Sequence, residues 1–449
     1  MGEYGYLKTE KNIYAAMHLA QNPFDIFPLF KDFRNKEACI KEEAVFLLPE
    51  SLENKLEILT SIKDKRTLVY GLFGVGKTSF VDFILYITYH YRRRFCSRVI
   101  ITEANVEKAI NEFLLTICFD IVQEIEQRKL TKPLALIRKW VAEKRYGDAL
   151  FDNMIRLAGN YTEKVEDNTI KVSQKGANVS LALTGGHLQY EEQIERRRCI
   201  QNYVQILPMK NIAQYLADFL EIVTQIGYES ITIFMDEADH LGKLDEFLRM
   251  LTRSREILFT KGYTFFVAGS AEIAKYTEAV GAIFDKIVFV PPLTKDNFKR
   301  FLQNRVHNVA PKIGIEDLFE EESLDFIFEQ SKGISKTLLR LTENALDFAA
   351  SKNDEKVSIA HCLESQDTDY NKIEQVLKKS HLALLKYLAG ISYTSASDEK
   401  LQQLVGVKRI QLRNLLEELL QLGYVRKESR GKTKYYSISS QYKNYFLNS

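Results

Sequence analysis

Gly71-Leu72-Phe73-Gly74-Val75-Gly76-Lys77-Thr78 follows the apolar run Thr67-Leu68-Val69-Tyr70 and leads into Ser79-Phe80-Val81-Asp82-Phe83-Ile84-Leu85. Strand, glycine-rich turn and helix start are read in order, the context that a phosphate-binding loop needs. Glycines let successive backbone N–H groups curl around an anion at a helix N-terminus, whose partial positive charge favours phosphate. Gly71, Gly74, Val75, Gly76 and Ser79 are therefore read as the cradle. Lys77 would reach the β- and γ-phosphates, and Thr78 would offer its hydroxyl to Mg²⁺. The expected cofactors are ATP and Mg²⁺.

Working outward, Ser230-Ile231-Thr232-Ile233-Phe234-Met235 reads as a strand that runs into Asp236-Glu237-Ala238-Asp239-His240. A carboxylate at the C-terminal end of a central strand is where a doubly wound sheet places ligand contacts. Asp236 is thus a second candidate ligand for the Mg²⁺ shell, and Glu237 a candidate for orienting or deprotonating the attacking water. Tyr263-Thr264-Phe265-Phe266-Val267-Ala268 is the next strand. Ser270 at its end could hydrogen-bond the γ-phosphate or the water, or simply serve the turn. Ile287-Val288-Phe289-Val290 adds a further short strand, closed by Pro291-Pro292. Strands separated by helical segments in this order predict an α/β fold, a parallel sheet with helices on both faces.

Upstream, residues 1 to 46 mix aromatic and charged residues and read as an arm packed on the core, and Ser51 is a plausible N-cap for a helix with Leu52, Leu56 and Leu59 on one face. Between the second strand and the third lies an insertion of about 103–229. It contains helices over 106 to 157 with Trp140 as a core anchor, a hairpin pattern over 169 to 184, and a charged helix with Arg196-Arg197-Arg198. The run Arg92-Arg93-Arg94 reads as a solvated helix end or a nucleic-acid contact.

From Thr294 the pattern is wholly helical, with helices over 294 to 306, 320 to 331, 335 to 351 and 357 to 366. Lys336, near the start of the third, could reach the γ-phosphate or be an ordinary first-turn lysine. Helices over 372 to 389, 397 to 405 and 407 to 422 then precede two alternating strands that flank Ser429-Arg430-Gly431-Lys432, the order of a winged helix. Over residues 408 to 434, eight basic side chains face three glutamates, a local balance of +5. Lys408, Arg409 and Arg413 are candidates for base edges and Arg430 and Lys432 for phosphates, so duplex DNA is the expected partner. A module used for protein contacts, its basic wing solvated, is the competing account.

At this point the chain resembles the origin-recognition and initiator clade of AAA+ ATPases. The resemblance covers roughly residues 45 to 445, with Leu48-Pro49-Glu50-Ser51-Leu52 similar to the family's segment over the adenine. It implies that Lys77 and Thr78 belong to Walker A, Asp236 and Glu237 to Walker B, Ser270 to sensor 1 and Lys336 to sensor 2, with ATP hydrolysis and ATP-dependent assembly as the associated activities. The expected domains are an N-terminal arm (1–46), a P-loop base (47–293), a helical lid (294–370) and a C-terminal winged helix (371–449). Sensor 2 in the family is usually arginine, whereas here it is Lys336. Between Ser270 and Pro291, where the family places a trans-acting arginine, the chain has only Lys275 and Lys286, with Arg253 and Arg255 on the preceding helix as alternatives. The long insertion looks more like that of STAND-type and mobile-element or defence-associated ATPases. A nucleotide switch that signals to a protein partner therefore stands beside the DNA-binding ATPase.

Bulk properties exclude little. The 449 residues suffice for two or three domains, 45% hydrophobic and 27% charged residues describe an ordinary globular chain, and a net charge of +2 confines any nucleic-acid surface to a local patch. Five scattered cysteines without a C-x-x-C pair indicate neither a disulfide frame nor a zinc site and fit a reducing cytoplasm. No apolar run approaches the roughly 20 residues of a membrane span, and the first residues lack a signal-peptide core.

Overall fold

The structure is a computed structural model that describes residues 12–24, 26, 29–100, 106–132, 135, 212–236, 252, 260–365, 377–391, 393–430, 433–438 and 446. The expected hairpin at 169 to 184, Trp140, Arg196 to Arg198, Glu237, Arg253, Arg255 and Lys432 lie outside them. In chain order the helices and strands up to the end of the sheet are α1 (Lys36–Val45), α2 (Glu50–Ser61), β1 (Arg66–Gly71), α3 (Lys77–Tyr91), β2 (Phe95–Ile100), α4 (Val106–Gln127), α5 (Ile212–Ile226), β3 (Ile231–Asp236), β4 (Tyr263–Ser270), α6 (Thr277–Ile283) and β5 (Lys286–Phe289). There follow α7 (Lys295–Val309), α8 (Ile315–Leu318), α9 (Glu321–Ser331), α10 (Ser335–Ser351), a helical stretch at 359 to 365, α11 (Lys379–Gly390), β6 (Thr394–Ser395), α12 (Glu399–Val405), α13 (Arg409–Gln421), β7 (Val425–Arg430) and β8 (Thr433–Ile438).

The chain divides into two compact units, one of Met1–Glu53, Gly71–Phe80 and Val290–Ser449, the other of Asn54–Tyr70 and Val81–Phe289. The second holds a five-stranded sheet in the order β2-β3-β4-β1-β5, with β1 parallel to β5, β2 to β3 and β3 to β4. β3 is buried at every position, as a parallel strand covered on both faces must be. Cross-strand register sorts the side chains. Phe95, Ser97 and Val99 share a face with Ile231, Ile233 and Met235, whereas Cys96 and Arg98 share the other with Thr232, Phe234 and Asp236.

The first face packs under α4 and α5. There Ser97 Oγ donates to Asp120 at 2.5 Å, Tyr263 OH donates to the Leu216 carbonyl at 2.7 Å, and Phe113 stacks on Phe265. The second face is covered by α3, whose Leu85 carbonyl accepts from Cys96 Sγ and whose Asp82 meets Arg98. Glu124 of α4, 2% exposed, is satisfied by the hydroxyls of Tyr89 (2.7 Å) and Tyr228 (2.6 Å), which makes its burial tolerable. After β1 the chain crosses to the far edge at β2, and after β4 it passes over β1 to β5. The sheet therefore reverses its winding beside β1, the place where open α/β sheets leave a crevice at their carboxyl ends.

In the other unit, α7 to α10 bury Phe298, Leu302, Leu324, Ile327, Leu338 and Leu346 in one core. Met17, Leu19 and Phe24 of the arm join that core, and Tyr14 OH (2.8 Å) and Asn22 Nδ2 (2.6 Å) both donate to Asp347 of α10. Burial first, then the Asp347 carboxylate, push the Tyr14 phenol up to about 12, so at neutral pH it remains the donor. A separate core unites Leu384 and Leu388 of α11, Leu401 of α12, Leu412, Leu416 and Leu419 of α13, and Val425 and Tyr436 of the β7–β8 hairpin. β8 also pairs with β6, giving a three-stranded sheet behind three helices.

Two local expectations change. α2 begins at Glu50 rather than after Ser51, because the Pro49 carbonyl already accepts from the N–H groups of Leu52 (2.8 Å) and Glu53 (3.1 Å). Arg94 is no part of a solvated helix end. It is 3% exposed, and its guanidinium donates to the carbonyls of Ser61 (2.7 Å) and Ile62, tying β2 to the end of α2. No helix among the described residues is long and apolar enough to cross a membrane.

Candidate functional site

The turn after β1 owes its path to two glycines in the left-handed region, Gly74 at φ 82° and Gly76 at φ 95°. Other residues rarely adopt that conformation, and a Cβ on Gly76 would face open space with nothing within 4 Å. Gly71 closes the strand where a Cβ would meet the Val290 carbonyl oxygen at 2.6 Å, and Val75 is buried beneath the loop. α3 starts at Lys77, and its first turn is under way when the Phe80 N–H donates to the Gly76 carbonyl at 2.9 Å. The loop therefore presents bare backbone over open space at a helix N-terminus, which fits an oxyanion.

Lys77 Nζ donates to the carbonyls of Gly71 (3.1 Å) and Leu72 (3.0 Å), so the ammonium lies across its own loop. Thr78 and Ser79 are half-buried in the first turn of α3, and Ser79 Oγ accepts from the Leu29 N–H of the arm at 3.2 Å. Lys336 stands in the first turn of α10. Its backbone N–H donates to the Gly74 carbonyl at 2.9 Å, and its ammonium lies 5.0 Å from the centroid of the Phe73 ring. The start of α10 is itself fixed by Gly333, at φ 70°, whose carbonyl accepts from the Leu293 N–H at 2.8 Å.

Gly74 also lies close against α10, since a Cβ there would stand 2.9 Å from Lys336 Cβ. Gly74→Ala is expected to destabilise the chain by roughly 1–2 kcal/mol from the left-handed backbone alone. A thermal melt checks this. A melting temperature equal to the parent's would show that the loop can move off α10 at no cost.

In the sheet, Asp236 ends β3 and is 3% exposed. Sequence reading left its partner unidentified. Arg98, diagonal to it on β2, donates Nη2 to Asp236 Oδ2 and Nη1 to Asp82 Oδ2 at 3.0 Å, and its guanidinium lies 5.6 Å from the centroid of the Phe234 ring. Ser270 closes β4, half-buried, ahead of the 3-10 helix Ala271–Tyr276, and Lys286 opens β5 opposite Thr67. Thr78 carries a hydroxyl and Asp236 a carboxylate, each taken by itself an oxygen donor of the kind that suits a hard divalent cation. Among the described residues no cluster of three or more His, Cys, Asp or Glu side chains could hold a metal by itself.

In the three-helix module, Lys408 is the N-cap of α13, and Lys408, Arg409 and Arg413 are exposed along its first turns. Ile410 between them is 72% exposed. The wing is less basic than its composition suggests. Glu417 takes Lys427 Nζ at 2.9 Å and the Tyr436 hydroxyl at 2.9 Å, with Lys434 at 3.8 Å. Burial raises the Glu417 carboxyl, but these hydrogen bonds outweigh it and hold the group below its ordinary value, so it remains the anion of that cluster. β7 and β8 run to Arg430 and Thr433, which places Arg430 at the tip of the hairpin.

No family model matches the chain. It is 24% identical over 226 residues to an uncharacterized HTH-type transcriptional regulator of Methanocaldococcus jannaschii, a match that spans 48% of this chain and 54% of that protein. The chain thus spans about half the length of the curated relative it matches. Among solved structures it is similar to the Aeropyrum pernix Orc1 protein in complex with DNA, at 15% identity and a TM-score of 0.44 over 90% of this chain and 93% of that one. It is also similar to a Walker-type ATPase of Pyrococcus abyssi, at 16% identity and a TM-score of 0.42 over 95% and 100%. The chain therefore carries, in order, a glycine-rich loop between β1 and α3, an α/β sheet of strand order β2-β3-β4-β1-β5, an aspartate at the end of β3, the helices from α7, and a final module of three helices and a hairpin.

Proposed function

We propose that the chain binds and slowly hydrolyses ATP with Mg²⁺, and that it engages duplex DNA through residues 371 to 449, its nucleotide state setting assembly or grip on the DNA. The observation that carries the nucleotide half is the loop from Gly71 to Thr78, with Gly74 and Gly76 both in the left-handed region and open space over Gly76. In this reading residues 47 to 293 are the base, 294 to 370 the lid and 1 to 46 an arm. The backbone of Gly71 to Ser79 receives the phosphates, with Lys77 neutralising charge. Thr78 and Asp236 would hold Mg²⁺, which would neutralise phosphate charge. Glu237 takes the proton of the attacking water, while Ser270 and Lys336 contact the γ-phosphate.

A second reading has its own observation. Without an arginine between Ser270 and Pro291, a neighbouring subunit would have to present Lys286 or another base, and a chain that cannot do so would hold ATP or ADP as a switch for a protein partner. ATP turnover with and without duplex DNA, measured across a dilution series, separates the two. The DNA-binding ATPase should rise in specific activity with concentration or with duplex, whereas a flat, DNA-insensitive trace supports the switch. In either reading Glu237→Gln should retain nucleotide binding, and whatever turnover exists should fall by roughly 100-fold or more, the usual contribution of a positioned general base. Unaltered turnover in that variant would remove Glu237 from the role.

A further inference from the structure

Arg98, Asp82 and Asp236 form a buried triad on the α3 face of the sheet. β2 is otherwise apolar or small, Phe95-Cys96-Ser97 before Arg98 and Val99-Ile100 after it. The Arg98 side chain is 15% exposed, that of Asp82 0% and that of Asp236 4%. A guanidinium retains its charge at any accessible pH, so the triad carries one cation against two carboxylates. Charges this poorly screened by water act strongly on one another and on any further ion that approaches.

We propose that Arg98 is a resident counter-ion of Asp236 that competes with Mg²⁺ for this carboxylate, and so sets the Mg²⁺ concentration at which the chain loads nucleotide. This rests on the reading of Asp236 as a Mg²⁺ ligand. Arg98 is bonded to Asp236 Oδ2, an atom that a divalent cation would also seek, and its charge opposes the second cation directly. Asp82 gives the guanidinium a second anchor at 3.0 Å, so Arg98 can yield Asp236 to an incoming ion without being left unpaired in the interior. Asp82 projects from α3, the helix that Lys77 and Thr78 open. Arg98 is in this view a positioning residue that acts on Asp236 and touches no substrate.

The test follows N-methylanthraniloyl-ADP fluorescence while MgCl2 is titrated into EDTA-treated full-length protein. Arg98→Gln alone leaves two buried carboxylates and threatens folding, so the informative variant is Arg98→Gln combined with Asp82→Asn, which preserves the net charge of the triad. In that double variant the half-saturating Mg²⁺ concentration is expected to fall at least about threefold, because the cation bonded to Asp236 is lost, while the anion lost with it is bonded to Arg98 and offsets only part of that gain. Metal-free nucleotide affinity should change little. Arg98→Lys keeps the charge and should stay near the parent value.

A half-saturation that is unchanged or raised in a cooperatively folding double variant overturns the proposal, as does an Arg98→Lys variant that shifts as far as the double one. If the parent chain binds the analogue but ignores Mg²⁺, Asp236 is no Mg²⁺ ligand and the proposal falls while nucleotide binding stands. If the parent gives no signal at all, both readings fall together.

Discussion

Replacing Lys77 with alanine is expected to lower affinity for ATP and ADP by roughly a hundredfold to ten-thousandfold. The side chain would supply about two hydrogen bonds from a cation to phosphate oxygens, each worth about 1.5–3 kcal/mol, and every 1.4 kcal/mol is a factor of ten. The same change should scarcely disturb the fold. In this structure Lys77 Nζ bonds to the carbonyls of Gly71 and Leu72 on a partly exposed loop, so the cost to stability is about 1 kcal/mol. Equilibrium binding of a fluorescent nucleotide and a thermal melt of the same sample separate the two effects. A variant that melts like the parent and still binds nucleotide with the parent's affinity would show that the loop is not the phosphate site. The carbonyls that hold Lys77 matter here too, since nucleotide binding must draw the ammonium away from them, and part of the energy gained from the phosphates offsets that separation.

The turn between β1 and α3 was legible in the sequence because its signal is local. Glycine spacing, the lysine and the hydroxyl are contiguous, and the apolar strand before them supplies the context. The sheet order was not legible, since β2 and β3 pair across a long insertion and only tertiary packing decides which edge β2 takes. β6 escapes sequence reading because two residues are too few to show an alternation. The arm reads as packed on the core, but its destination, the helices around Asp347, depends on hydrogen bonds between residues more than 300 positions apart in the chain.

Most instructive is Arg98. A lone arginine in an otherwise apolar strand and a lone aspartate in the apolar run of α3, Phe80-Val81-Asp82-Phe83-Ile84-Leu85, are each improbable unless paired. Taken together they announce the ion pair that the structure contains. Taken separately neither points to a partner. The basic wing fails in the opposite direction. Charge counting over 408 to 434 treats all eight basic side chains as equal, whereas Glu417 occupies Lys427 and draws on Lys434. That leaves the exposed start of α13 as the stronger part of the patch.

Deleting residues 371 to 449 is expected to abolish duplex binding and leave nucleotide binding intact. Among the described residues, the core of this module from Leu377 to Phe446 is built of its own side chains, so its removal is expected to leave the other cores intact. Within the intact chain, Arg409→Glu with Arg413→Glu should weaken binding by about 1–3 kcal/mol for each base edge that is no longer read and alter sequence preference, because both side chains are exposed on the first turns of α13. Ile410, exposed between them, is of the type that meets a thymine methyl, which makes the same surface apolar as well as basic. Charge reversal at Arg430 and Lys432 should instead weaken binding to all sequences alike, and each phosphate left without its cation should flatten the dependence of log K on log salt by about 0.9. Gel-shift titrations at two salt concentrations distinguish these outcomes. Lys427 should matter least of the wing cations, since Glu417 already holds it at 2.9 Å. If the truncated chain keeps the parent's affinity for duplex, the DNA surface lies elsewhere, with Arg92, Arg93 and the run 196 to 198 as the next candidates. Arg94 is excluded from that set by its burial against Ser61 and Ile62. The three-helix module would then be a docking surface for protein, with Ile410 at its centre.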